Sequence, residues 1–206
     1  MPSSWSALHK DEAYSIPLFI QNEVKHEEWQ DKIEPIEMNI NPQDVALLNQ
    51  KLGETLRKVP VGGHNLKFDL KFIHNKNICD IRDVKLDNDT MVDASLLFGQ
   101  KSGMPLTLKH LSQKFVGAHD WERDLVTYRD SFRLKKNRTY DNIPTDLLWV
   151  YAAYDPYYNM YLREYFKKVM PSSMEKIRKQ VTKSQHVFTK IELNPTIVKG
   201  KPLFCC

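Results

Sequence analysis

The stretch VPVGGHNLKFDLKFI, residues 59–73, governs how the rest of the chain is read, because it passes from an apolar strand through two glycines directly into an amphipathic helix. Val59 and Val61 are expected to end a buried strand, and Gly62 and Gly63 to allow a turn closed to other residues. Phe68, Phe72 and Ile73 repeat at helical spacing and are expected to face a core. Asp69 then lies in the first helical turn, where the helix dipole stabilises a carboxylate and where it faces whatever lies above the strand ends. Asn65, four residues earlier, is placed to cap the helix or to hydrogen-bond a ligand. Taken alone, Asp69 is a favourable first-turn acid and no more.

Working outward, the 206 residues, 41% hydrophobic and 27% charged, suit one soluble domain with a real core. No apolar run approaches a membrane span, and the opening MPSSWSALHKDEAY lacks the basic-then-apolar pattern of a secretion signal. A cytoplasmic location is expected, host-cytoplasmic if the protein is viral, with no membrane partner. Cys79, Cys205 and Cys206 match neither a zinc spacing nor an even disulfide framework and are read as free thiols.

The net charge of +4 is unevenly spread. Between Asn22 and Asp44 seven acids face two lysines, an acidic solvated segment, whereas Arg163 to Lys190 carries eight basic residues and two acids. Arg123, Arg129, Arg133, Lys135, Lys136 and Arg138 cluster among Tyr128, Phe132 and Tyr140. Charge runs are usually only solvated faces, but basic residues interleaved with aromatics suit a single-stranded polyanion.

Ser4 to Ala7 and Ala13 to Phe19 read as the tail of one strand and all of another, joined by a polar turn. Asn41 is a good N-cap with Pro42 at the first helical position, and Val45, Leu48, Leu52 and Leu56 form the stripe of the helix that follows. Ile78 to Val84 is a short connection or strand. Asp89 to Phe98 is an amphipathic segment, and Thr107 to Phe115 is another, stopped by Gly117, with Leu108, Leu111 and Phe115 inward. Ala118 to Asn142 lacks a clear period and reads as a long loop. Helical pattern returns from Pro144 to about Lys168 and again from Met174 to Lys190.

A second stretch, WVYAAYDPYY at residues 149–158, changes the weight of Asp69. Tyr151 and Asp155 are four apart on a helix and share one face, so a phenol lies about one turn from a carboxylate. Such a pair can orient an attacking water while the carboxylate holds a divalent metal. By itself it is weak, since aromatics at helical spacing more often pack a core. Pro156 beside it removes one helical hydrogen bond and clashes with the Ala152 carbonyl, at a cost of about 3 kcal/mol unless the helix kinks.

With GHNLKFD, DTMVDASLL, LTLKHLSQKFVG and YAAYD in that order, and AYSIPL before them, the chain resembles the 3′-5′ proofreading exonuclease domain of family A DNA polymerases, a tyrosine-type member of the DEDD superfamily. The similarity covers roughly residues 4–190. It implies an α/β, ribonuclease H-like three-layer fold with a central mixed sheet. It also implies two divalent metals, Mg²⁺ or Mn²⁺, over the strand ends, and hydrolysis at the 3′ end of a single DNA strand. By the same resemblance Asp69 would belong to the shared metal site, directly or through a metal-bound water, Asp155 would ligate the metal that activates the nucleophilic water, and Tyr151 would orient that water. Asn65 would lie by the terminal nucleotide, with Phe68 a further nucleic-acid contact; the charge pattern, apart from the resemblance, makes Arg133, Lys135, Lys136 and Arg138 candidate contacts to the strand.

The chain departs from that family at its beginning and its end. The family's first motif is an acid-x-acid pair on the opening strand that supplies two of four metal-binding carboxylates, and no such pair precedes Asp69. Asp11 and Glu12 are adjacent, so in a strand they would point to opposite faces. The first strand or strands are therefore expected to be missing, leaving residues 1–190 as an exonuclease-like domain without its first motif and 191–206 as a divergent tail. A phage-like split or truncated polymerase gene fits that reading, with a polymerase domain or a companion chain supplying the missing strand. The chain alone would then be inactive. The competing class is a non-catalytic nucleic-acid-binding or scaffold module derived from the same domain, and a third reading, an orphan α/β domain without nucleic acid, has little in its favour.

Overall fold

The computed structural model describes residues 41–99, 103–132 and 140–194, and the backbone of six short strands outside those ranges. The chain divides into two compact units, Met1–Ala46 with Leu111–Tyr161, and Leu47–His110 with Leu162–Cys206.

In the first unit β1 (Ser4–His9) and β2 (Glu12–Pro17) form an antiparallel hairpin, as the two apolar runs and the polar turn require, and β3 (Ile20–Asn22) pairs antiparallel with β4 (Ile36–Met38). Most of the acidic segment between Asn22 and Asp44 lies outside the described residues. The expected loop from Ala118 to Asn142 is not all loop: Arg123–Ser131 is a helix, α5 in chain order. Its buried residue is Leu125, which joins Ile143 and Leu148 in a small core flanked by Val126, Tyr128, Leu147 and Tyr151. One buried position in nine residues, among charged neighbours, leaves little period to read in the sequence.

The second unit begins within helix α1 (Pro42–Lys58), whose start follows its sequence signals, since Asn41 Oδ1 accepts the Gln43 N–H at 3.0 Å. The strand that follows is shorter than expected. β5 is Val61–Gly63, and Val59 is exposed because the helix ends only at Lys58. β5 pairs in parallel with β6 (Leu86–Asp89), a strand the sequence pattern hid inside a polar run. Among the described residues this parallel pair stands apart from the unit's other strands, β7 (Ile197–Val198) and β8 (Lys201–Pro202), which pair antiparallel with each other.

Helix α2 (Leu66–Asn75) buries Leu66, Leu70 and Ile73; of the expected stripe Ile73 is inside, while Phe68 is 58% exposed with its ring edge-on to Phe72. Helix α3 (Thr90–Phe98) and helix α7 (Glu175–Leu193) pack with α2 around β6. Leu56, Ile81, Val84, Ala94, Leu162 and Phe166 fill the core.

The two glycines of the opening stretch serve packing rather than turn geometry. Neither has positive φ; a Cβ on Gly62 would lie 2.1 Å from Asn88 Oδ1, and one on Gly63 2.5 Å from Leu66 Cδ2. Gly117, at φ +68°, does stop helix α4 (Leu108–Val116) as expected. Helix α6 (Thr145–Val169) runs through Pro156 without interruption, its burial of Leu148, Leu162 and Phe166 offsetting the lost hydrogen bond. Among the described residues no helix is long and apolar enough to cross a membrane.

Candidate active site

Asp69 lies in the first turn of α2, exposed, with its carboxylate folded back over the end of β5: the Oδ2 atom is 3.8 Å from where a Gly63 Cβ would stand. Asn65 occupies the N-cap position but does not cap with its side chain. Its backbone is left-handed, φ 61° and ψ 52°, a conformation asparagine tolerates better than most residues.

The cap comes instead from Asp89, at the end of β6 and 1% exposed. Its carboxylate accepts the Asn65 N–H at 3.0 Å and the Leu66 N–H at 2.9 Å from the start of α2, then Met91 N–H at 2.9 Å and Val92 N–H at 3.4 Å from the start of α3. One buried anion thus closes the N-termini of two helices and sets the turn that carries Asn65 to Asp69. The Asp-Thr step before an apolar run was a legible N-cap signal for α3; its second role in α2 lies 24 residues away and is visible only in three dimensions. His64 is fixed as well, Nδ1 on Thr90 Oγ1 and Nε2 on the Leu106 carbonyl, both at 2.8 Å. Burial holds its pKa below the ordinary histidine value.

Tyr151 and Asp155 belong to the first unit, on α6, and the spacing does what it promised: the phenol hydrogen-bonds the carboxylate one turn on. Burial first, and the Asp155 charge second, push the Tyr151 hydroxyl above the ordinary phenol range, so it is a permanent donor. Asp155 is pushed up to about 6 by burial, against the pull of hydrogen bonds from Trp121 and Tyr151. The Trp121 indole, 6% exposed, donates Nε1–H to Asp155 Oδ1 at 3.0 Å. Trp121 also leans on Tyr158, rings 4.7 Å apart, which stacks on Tyr154 at 5.7 Å. Trp121 was missed in the sequence, where HDW in a polar stretch carries no period.

Asp155 is thus a buried carboxylate held by two neutral donors. One carboxylate is not a two-metal site. Among the described residues no group of three His, Cys, Asp or Glu side chains could hold a metal ion, so the donors present do not fit two hard cations that each need six or more oxygen ligands. Phe68 is exposed; Arg133, Lys135, Lys136 and Arg138 lie outside the described residues.

No curated protein and no solved structure matches the chain. The family model of the 3′-5′ exonuclease matches residues 5–171, a span that runs from the β1–β2 hairpin through His64–Asp69, the Asp89 cap and the hydrogen-bonded Trp121, Tyr151 and Asp155. The chain belongs to the 3′-5′ exonuclease domain family of the family A DNA polymerases.

Proposed function

We propose that this chain is the exonuclease module of a DNA polymerase, acting at the 3′ end of a single DNA strand, and that its two-metal chemistry needs carboxylates the chain does not itself supply. The family match over residues 5–171 carries the assignment of a nuclease acting on nucleic acid, in a family that uses divalent metal ions. Within it, Asp69 and Asp155 take the role of metal-facing carboxylates, Mg²⁺ or Mn²⁺ being the ions such oxygens suit. Tyr151, protonated throughout the physiological range, holds Asp155 and presents a donor beside it.

Two observations support the incomplete site. No acid-x-acid pair precedes Asp69, and no three ligating side chains converge among the described residues. A third concerns the sheet: among the described residues β5 pairs with β6 and with no other strand, the pairing expected where a neighbouring strand comes from a companion polypeptide. The same observations favour the alternative of a non-catalytic nucleic-acid-binding module if no companion exists.

The test is degradation of a 3′-labelled single DNA strand in Mg²⁺ by the purified chain, alone and with a polypeptide bearing an acid-x-acid strand. Cleavage only with the companion, abolished by Asp155→Ala, is expected. Strong cleavage by the chain alone would sink the incomplete-site reading; binding without cleavage under either condition would leave the binding module.

A further inference from the structure

Glu192 stands in the last turn of α7, where a carboxylate meets the negative end of the helix dipole and is disfavoured. Two lysines of α2 hold it there. Lys67 Nζ lies 2.7 Å from Glu192 Oε1 and Lys71 Nζ lies 2.7 Å from Oε2, so each oxygen of one carboxylate takes one ammonium group. Hydrogen bonds from Lys67 and then Lys71 keep the Glu192 carboxyl below the ordinary glutamate value.

Little hydrophobic burial fastens this end of the helix. The buried residues of α7 are Thr182, Gln185 and Thr189, none of them apolar, and Thr182 Oγ1, Gln185 Oε1 and Thr189 Oγ1 make no hydrogen bond among the described residues. In the last two turns Val187, Phe188 and Ile191 are all exposed, and Leu193 is half-buried.

On α2 the lysines make a row of their own. At about 100° per residue Lys67 and Lys71 lie one turn apart on one face, and Phe68 and Phe72 form the adjacent row, with Phe68 largely exposed. Asp69 lies on the far side of the phenylalanine row. The lysine side chains remain open to solvent, 34% and 29% exposed.

We infer that Lys67 and Lys71 form a binding site for a phosphate group, which Glu192 occupies as an internal substitute and leaves when a phosphate arrives, freeing the end of α7. The carboxylate offers two oxygens to two ammonium groups, as the two non-bridging oxygens of a phosphodiester do, and lysine binds phosphate as a point charge. The exposed Phe68 ring gives a base of the same strand a face to stack on. On the reading of this chain as a module that acts on single-stranded DNA, the phosphate belongs to the strand backbone, away from the end that Asp69 would meet. A plain staple between α2 and α7 uses the same three side chains but couples Glu192 to no external anion.

The probes are a fluorescein-labelled single DNA strand and inorganic pyrophosphate, each added to the full chain without divalent metal. Strand binding is read by anisotropy, and the amides of residues 187–193 by hydrogen exchange and mass spectrometry. Both probes are expected to speed exchange at this end of α7. Glu192→Gln should tighten strand binding by about fivefold or more, the worth of displacing two partly exposed ion pairs, and should speed exchange with no probe present. Lys67→Gln/Lys71→Gln should cancel that gain and the response to pyrophosphate, whereas Glu54→Gln, which removes an equal charge from α1, should not tighten binding. If the strand binds but Glu192→Gln changes nothing, or Glu54→Gln gains as much, the phosphate site is overturned and the exonuclease reading stands. If no strand binds yet pyrophosphate speeds exchange through the two lysines, the phosphate site stands and the DNA reading falls. Exchange that neither probe alters overturns the phosphate site.

Discussion

Replacing Asp89 by alanine removes the one carboxylate that closes the start of both α2 and α3. Four backbone N–H groups lose their acceptor, at 2.9 to 3.4 Å, and Asp89 is 1% exposed, so little water can take its place. A helix cap is worth about 1 kcal/mol, and burial of the N–H groups left behind, Leu66 among them at 3% exposure, adds about 1 to 3 kcal/mol. With two helices affected the loss should be about 4 kcal/mol, a large part of the 5 to 15 kcal/mol that holds an ordinary domain. Asp89→Asn keeps Oδ1, which serves Asn65, Met91 and Val92, but turns an amide toward the Leu66 N–H, and should cost about half as much. Urea unfolding followed by far-ultraviolet circular dichroism measures both. A loss below about 1 kcal/mol for Asp89→Ala would refute the view that this anion organises the turn carrying Asp69.

Three further outcomes are expected. Asp93, 2% exposed and pushed up to about 6 by burial despite Arg178, has a folded value above its unfolded one, so its penalty is absent below about pH 4 and grows as pH rises to about 6; Asp93→Asn should match the native chain at about pH 4 and exceed it by up to about 3 kcal/mol at about pH 7, and equal stability at both would contradict this. Tyr151→Phe should leave the tyrosinate absorbance titration unchanged up to about pH 11, because Tyr151 ionises only above that range, whereas a missing step below it would show the phenol to be solvated. Gly62→Ala should destabilise by about 1 to 3 kcal/mol through its clash with Asn88 Oδ1, and pairing it with Asn88→Ser should restore part of the loss; additive effects in a double-mutant cycle would count against that contact.

Much of this protein follows from local rules that the sequence carries in full. The Asn41 cap, the Gly117 stop, the hairpin of β1 and β2 and the four-residue step from Tyr151 to Asp155 each depend on residues a few positions apart, and each formed as its spacing demanded. The ordered motifs likewise carried the family. What the sequence could not decide depends on partners distant along the chain. Phe68 and Ile73 obey the same helical period, yet only Ile73 is buried, because period says that a face exists and packing chooses which residues occupy it. Gly62 and Gly63 looked like turn residues and proved to be places where Asn88 and Leu66 press against the backbone. Trp121 reached Asp155 across 34 residues, and Asp89 reached Asn65 across 24. In α7 a basic amphipathic pattern was plain, but which side is buried was not: Thr182, Gln185 and Thr189 lie inside while Ile177 and Ile191 stay exposed, with Glu192 paired to Lys67 and Lys71, more than 120 residues away.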